Sequence, residues 1–411
     1  MRISTNQMYQ TGLNNLLDLQ TRVLKLQGQQ SSGLKVQSPS DDPVASAQIE
    51  LMNYRIGATE LLQRNRQAAE SALSLEEGVL SDSINTLNRL REIQIQAGND
   101  ALAEDDRKAL AVEAKNLLGQ LQDFANSKDA NGNFMFSGGK SFVQAISLNT
   151  SGQYVYNGDS TQRFQAVTQS LQVAVNDTAD NLFMRIPNGN GSFTVSQTAT
   201  PNTGTGVVTT GAVIDPLAYV PDDYTMSFAL NTQGDLVAMV SGAASGDVIP
   251  PTGLPDDAPL YQEGSVISFN GIELMITGAP VAGDAFTISP AENESIFSTV
   301  QRMITNLNKP YKTPVDKAAT KTENNQLLAQ IDKAFSRISE VQADLGARLN
   351  QLESADNANK TLIDTSEAAL KLLREIDPIE VATQFNIQVL NLQIAQQSFV
   401  RIQGLTLFNY L

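Results

Sequence analysis

The run Ile331-Asp-Lys-Ala-Phe335-Ser-Arg-Ile338-Ser-Glu-Val-Gln342-Ala-Asp-Leu345-Gly-Ala-Arg-Leu349-Asn-Gln-Leu352 carries a seven-residue apolar repeat. Ile331, Ile338, Leu345 and Leu352 form one stripe; Phe335, Leu349, Ile363 and Leu370 form a second, interrupted by Gln342 and Asp356. Offsets of three and four place both stripes on one helix face, as in a coiled-coil seam. Gly and Pro nearly vanish from Thr322 to Leu373, and again from Val44 to about Gln96. There a weaker repeat runs through Leu73, Leu80 and Leu87 with Ile84, plus Ile49 and Ile56. A helix of about 50 residues extends roughly 75 Å, far more than a compact domain needs. Two such helices at opposite ends of one chain predict an antiparallel pairing that brings the termini together.

Outside them, Ser40-Asp41-Asp42-Pro43 and Ile376-Asp377-Pro378 each put Asp before Pro. That is the pattern of an N-cap followed by a first helical residue. The upstream helix is expected over Met8 to Gln27, ending at Gly28 or soon after, and the downstream one from Ile379 to about Gln403, stopped by Gly404. In the downstream helix Phe385, Leu392 and Phe399 recur every seven residues, while Ile387 and Ile394 lie on another part of its surface. From Ile379 to Leu411 only Glu380 and Arg401 are charged, and Gln384, Gln388, Gln393, Gln396, Gln397 and Gln403 fill the polar positions. A solvated face normally carries Glu and Lys. Gln that finds hydrogen-bond partners costs far less to desolvate than a charge. These helices therefore read as intersubunit packing elements, with an ordinary core helix as the alternative. The expected assembly residues are Leu13, Leu17, Leu24, Phe385, Ile387, Leu392, Ile394 and Phe399.

The middle of the chain differs. Between Ser141 and Pro290 there are 13 acidic residues against Arg163 and Arg185, so −11 of the chain's net −16 sits there, with 15 of its 27 Gly and 10 of its 15 Pro. Short β-branched and aromatic runs alternate with turn formers: Tyr154–Tyr156, Leu171–Val175, Ser192–Val195, Val266–Phe269, Ile272–Ile276 and Phe286–Ile288. Asn270-Gly271 separates two of them as a hairpin turn should. The fold class is thus α + β and multidomain: a long antiparallel helical rod from both chain ends with an inserted all-β domain. The expected division is terminal arms 1–42 plus 378–411, a rod 43–140 plus 291–377 with a small hairpin, and an outer β domain 141–290.

The composition narrows function. With 28 Lys+Arg against 44 Asp+Glu, no phosphate-tracking surface, and so no nucleic-acid partner, is expected. The absence of His and Cys removes thiolate nucleophiles, Ser-His-Asp relays and the usual zinc sites. No apolar run approaches the length of a membrane span, and Met1–Gln7 has one positive charge with no apolar stretch behind it, so no cleaved secretory leader is expected. Gly139-Lys140-Ser141 fails as a phosphate loop because its first Gly would be Phe134. Asp129, Asn131 and Asn133 start like a Ca²⁺ loop, but Phe134 and Lys140 replace the required Gly and Glu; the stretch reads as a turn. Asp222-Asp223 and Asp256-Asp257 read as solvated loop formers, and Gly204-Thr-Gly206 completes no dinucleotide fingerprint. Catalytic, cofactor and metal residues are expected to be none.

Gln30-Ser31-Ser32-Gly33-Leu34-Lys35-Val36 followed by Asp41-Asp42 resembles the N-terminal signature of the bacterial flagellin superfamily. Met1-Arg2-Ile3-Ser4-Thr5, Asp129-Ala-Asn-Gly-Asn-Phe134-Met-Phe136-Ser-Gly138, Pro43 and the ending Leu407-Phe408-Asn409-Tyr410-Leu411 are most similar to its hook–filament junction members. In the middle, Phe269-Asn-Gly-Ile272 and Gly283-Asp-Ala-Phe286 look familiar for the same members. The resemblance implies a structural, non-enzymatic protein of the extracellular flagellum, exported unfolded through the flagellar type III apparatus. It implies a ring of copies between the first hook-associated protein and flagellin, and an export chaperone that shields the C-terminal arm. Arms with apolar faces that one copy cannot bury are then expected to be disordered in the isolated monomer. A minor filament-building flagellin is the nearest alternative; a secreted acidic adhesin or enzyme acting through the β domain is a more distant one.

Overall fold

The computed structural model describes the backbone of residues 5–198 and 201–408, and side chains within 7–401 of these. Six α-helices occur among them: α1 Thr5–Ser32, α2 Pro43–Ala97, α3 Glu104–Ala125, α4 Ile296–Leu307, α5 Pro314–Arg374 and α6 Pro378–Phe408. Helices α2 and α5 have 55 and 61 residues, about 80 and 90 Å of helix. None of the helices is long and apolar enough to cross a membrane, among the described residues. The chain falls into two compact units. One takes the chain up to Arg66, Ala166–Leu171 and the chain from Glu353; the other takes Gln67–Gln165 and Gln172–Leu352.

Both Asp-Pro steps start helices as the sequence predicts. Asp42 Oδ1 accepts from the Val44 and Ala45 N–H groups at 3.1 and 2.9 Å, and Asp377 Oδ1 accepts from Ile379 at 2.9 Å. One expected helix end falls a turn past Gly28, and one is corrected. Gly28 lies inside α1, where a Cβ would come within 3.3 Å of the Gln37 amide; the helix stops instead before Gly33, at φ 73°, because an αL residue closes a helix end without a Cβ penalty. Gly404 lies inside α6, since one helical Gly costs only about 1 kcal/mol against neighbours that continue the helix.

In the second unit, α2 turns Ala69, Leu73, Leu80, Leu87 and Leu90 inward, and α5 turns Leu327, Ile331, Ala334, Ile338, Val341, Leu345 and Leu352 inward. The first predicted stripe of α5 is therefore core. The second is corrected: Phe335 and Leu349 are half-buried, and Ala334 and Val341 hold the inner positions, because alternating steps of three and four from Ile331 land there. Gln94 bonds Asn324 at 3.0 Å and Arg91 pairs with Asp332 at 2.6 Å, so the two helices run antiparallel within this unit. Helices α3 and α4, which no apolar repeat announces, pack beside them through Ala114, Leu118 and Leu121 and through Ile296, Phe297, Val300 and Met303. Phe136, from the Phe134-Met-Phe string, meets Phe183 edge-on at 6.2 Å, and Phe183 meets Phe297 at 6.0 Å.

Arg107 of α3 is fully buried. It donates to Ala97 O at 3.3 Å and Asn306 O at 3.0 Å, the last turns of α2 and α4, and stacks 4.3 Å above Tyr311. The guanidinium thus meets two helix C-termini, where the partial charge is negative. Asn324 Nδ2 also reaches Ala97 O at 3.2 Å, and Asn306 Nδ2 reaches Asn324 Oδ1 at 2.9 Å. These groups and Gln94 form one buried polar knot at the ends of three helices.

The middle segment is antiparallel β, as expected. A five-stranded sheet orders Gly246–Ile249, Leu236–Gly242, Tyr224–Leu230, Ala285–Pro290 and Phe193–Gln197; a second pairs Val266–Phe269, Ile272–Thr277 and Val207–Val208. The two share one core that includes Phe193, Met226, Phe228, Val240, Leu274 and Phe286. Asn270 and Gly271, at φ 42° and 74°, make the predicted hairpin turn. The two longest strands, Tyr224–Leu230 and Leu236–Gly242, lie outside the predicted runs; Ser, Ala, Met and Gly dilute their β-branched signal.

The rejected motifs have structural work. Asp129 Oδ1 accepts from the Asn131 and Asn133 N–H groups at 2.8 and 2.9 Å, closing a turn. Asp284, buried, accepts from Thr203, Gly204 and Val281 N–H groups, and a Cβ on Gly204 would lie 2.4 Å from its Oδ2. Gly204 is thus a close approach to a buried carboxylate. Among the described residues no group of three or more His, Cys, Asp or Glu could hold a metal ion.

Candidate assembly interface

Helices α1 and α6 belong to one unit and lie antiparallel. The Tyr9 and Phe399 rings are 5.2 Å apart, while at the other end Leu34 bridges Glu375 and Lys35 N–H donates to Arg374 O at 2.7 Å. Close packing needs Gly12, where a Cβ would sit 3.0 Å from the Phe399 ring. Half-buried positions of α1 include Gly12, Leu16, Leu19, Val23 and Leu26, and those of α6 include Phe385, Gln388, Leu392, Ala395 and Phe399. Both follow alternating steps of three and four, the seam of a two-helix pair.

The expected assembly residues therefore divide. Phe385, Leu392 and Phe399 lie on the half-buried stripe of α6. Leu17, Leu24, Ile387 and Ile394 are each more than half exposed, with Leu13 at 39%, and Met8, Ile379, Leu390 and Val400 extend the exposed apolar surface. Each terminal helix thus has a second apolar face beyond its paired one. The polar positions beside it are Gln rather than charge: Gln393, Gln396 and Gln397 are exposed, and Gln384 donates to Glu380 at 3.0 Å. Exposed apolar surface of this kind marks an interaction site when it is contiguous.

The signature residues build the joint at the root of these helices. Gly33 O accepts from Ile376 N–H at 3.2 Å, and Ser32 Oγ accepts from Leu34 N–H at 3.2 Å and from Gln37 at 2.8 Å. Ser31 and Ser32 are the last two residues of α1. Asp41 takes Ser38 N–H and Lys25, both at 3.1 Å, and Lys25 and then Ser38 hold its carboxyl below the usual range. In the same unit Asp356, which interrupts the α5 stripe, pairs with Arg66 at 3.1 Å and with Lys360 at 2.6 Å. Asn359 donates to Val167 O at 2.8 Å, and Asn65 to Ala166 O at 3.2 Å. Asn65 and Asn359, beside this ion pair, thus hold Ala166 and Val167. The opening Met1–Ser4 and the ending Asn409–Leu411 lie outside the described residues.

Residues 3–141 match the family model for the bacterial flagellin N-terminal helical region, and residues 328–411 that for the C-terminal helical region. The flagellar hook associated protein-3 from Legionella pneumophila is 69% identical; the match covers 79% of this chain and 98% of that one, with a TM-score of 0.78. The chain belongs to the hook-associated protein 3 family, within the flagellins. FlgL from Xanthomonas campestris is 28% identical over 75% of this chain and 98% of its own, with a TM-score of 0.67. Flagellar hook-associated protein 3 of Salmonella typhimurium is 32% identical over 186 residues, 45% of this chain and 58% of the relative, so the chain spans little more than half of that relative's length. The signature 31–42 and the Phe134–Phe136 string both fall inside the N-terminal match.

Proposed function

We propose that this protein is a structural part of the bacterial flagellum, a ring of copies that joins the hook to the flagellin filament and is needed for motility. The observation that carries this is the doubled apolar surface of the terminal pair. One face of each helix serves the other; the second, with Leu17, Leu24, Ile387 and Ile394, is exposed and gains partners only when copies meet. Family membership supports the same reading. The proposed neighbours are other copies, the first hook-associated protein below and flagellin above. An export chaperone covers the C-terminal arm before type III export, and the site of action is the extracellular hook–filament junction. The arms then join neighbouring copies, and the acidic charge of residues 141–290 favours solubility of the assembly.

The test is genetic. Cells lacking the protein should make hooks but shed flagellin monomers into the medium; intact filaments in such cells would overturn the reading. A second expectation concerns order. In the dilute monomer the arm amides, 7–42 and 378–401, should exchange rapidly, since a single half-buried stripe scarcely offsets the entropy of ordering them. They should become protected on assembly. Hydrogen exchange followed by mass spectrometry reads both states, and slow exchange in the monomer would count against the reading.

A further inference from the structure

Glu76 occupies a core step of α2 between Leu73 and Leu80 and is 1% exposed; Asp177 is 2% exposed. Glu76 Oε1 accepts the Asp177 N–H at 3.1 Å. From α5, Arg348 forks onto the Asp177 carboxylate at 2.8 and 3.3 Å, and Gln162 Nε2 donates to the same group at 2.9 Å. The flanking residues are bolted as well: Asn176 Oδ1 accepts from Arg163 N–H at 2.7 Å, and Ala179 N–H donates to Phe136 O at 2.8 Å. Beyond them the chain makes one π-turn, Asp180–Met184, and enters the β region.

We infer that Glu76, Asp177 and Arg348 form a proton-dependent latch that holds Asn176–Thr178, the root of the β region, between α2 and α5. Charge count in a dry site sets the protonation. Two carboxylates face one forked guanidinium, already committed to Asp177. The other charges acting here are Arg163, from the segment before the latch, and Asp344, on α5 beside Arg348. Asp129, in the turn after α3, draws on the same Arg163. A protonated Glu76 leaves the Asp177–Arg348 pair neutral and still accepts the Asp177 N–H. An ionised Glu76 adds a buried charge next to a carboxylate; Arg348 and Arg163 offset it less than burial and Asp177 oppose it.

Burial, and then the neighbouring Asp177 charge, push Glu76 up from 4.5 to about 8. The folded chain therefore holds a proton that the unfolded chain releases above about 4.5. Stability from this group is full below that pH, is lost as pH rises toward 8, and changes no further above it. Within that window the unfolding constant should rise by up to about tenfold per pH unit.

Urea unfolding of the full chain between pH 5 and pH 9 tests this with Glu76→Gln, whose amide oxygen can accept the same N–H without titrating. The wild-type midpoint should fall across the window while the variant's stays nearly level, and at pH 8 the variant should resist unfolding by tenfold or more, about one unit of pKa. Equal pH dependence in both proteins overturns the latch. A second reading needs no substitution: in the ¹³C-carboxylate-labelled wild type, one Glu should titrate near neutrality while the others titrate in the acid range. Ordinary acid-range titration of every Glu overturns the latch as well.

Discussion

Replacing Ile387 and Ile394 together by Asp is expected to abolish incorporation into the hook–filament junction while leaving the monomer's stability almost unchanged. Both side chains are more than half exposed in the single chain, and substitutions at such positions usually move stability by only about ±0.5 kcal/mol. In the assembled ring the same positions would be desolvated. An unpaired carboxylate in a packed seam costs about 2 kcal/mol or more, so two should lower incorporation more than about hundredfold. Thermal melting of the monomer, a swimming assay and electron microscopy of complemented cells read the two halves. Normal filaments on the double variant would remove the exposed face from the interface. Leu392→Asp is a different experiment, because Leu392 is half-buried on the paired stripe. Its substitution removes a contact of the α1–α6 pair as well as blocking assembly, so the arms should stay unprotected even when the variant is mixed with assembling wild-type copies.

Arg107→Ala is expected to cost about 3–5 kcal/mol of stability in the second unit. The side chain supplies charge-assisted hydrogen bonds to Ala97 O and Asn306 O and covers the Tyr311 ring. Its removal takes the positive group from two helix C-termini and leaves a large void. Lys should recover less than half of the loss, because an ammonium is a compact point charge and cannot span both carbonyls as a planar fork does. Chemical denaturation of the three proteins measures this; a loss below about 1 kcal/mol for Ala would mean that the knot of Gln94, Asn306 and Asn324 closes without Arg107.

Arg107 also marks the boundary of what could be read from residues alone. It sits in Glu104-Asp105-Asp106-Arg107-Lys108, a string that looks like a solvated helix start; only α2 and α4 ending at the same place turn it inward. Glu76 was hidden for a related reason. A heptad template counts apolar positions, so a carboxylate at a core step registers as a gap, and its partner lies 101 residues away along the chain. Helices α3 and α4 carry weak signals because their inner faces rest on Ala and on a short run, and the longest strands because they hold few β-branched residues.

The sequence by itself determined the long helices, the two Asp-Pro starts, the β insert, the Asn-Gly hairpin and the flagellin-like ends. These are local signals, written in steps of three and four, in caps, in turn residues and in an unbroken signature. The tertiary structure alone decided which apolar stripe of each terminal helix is spent on its partner and which is left exposed. A helix can carry two such stripes, and its sequence does not say which one a neighbour will cover. That is settled by antiparallel packing, where Gly12 admits the Phe399 ring and the joint at Gly33 and Ile376 sets the register.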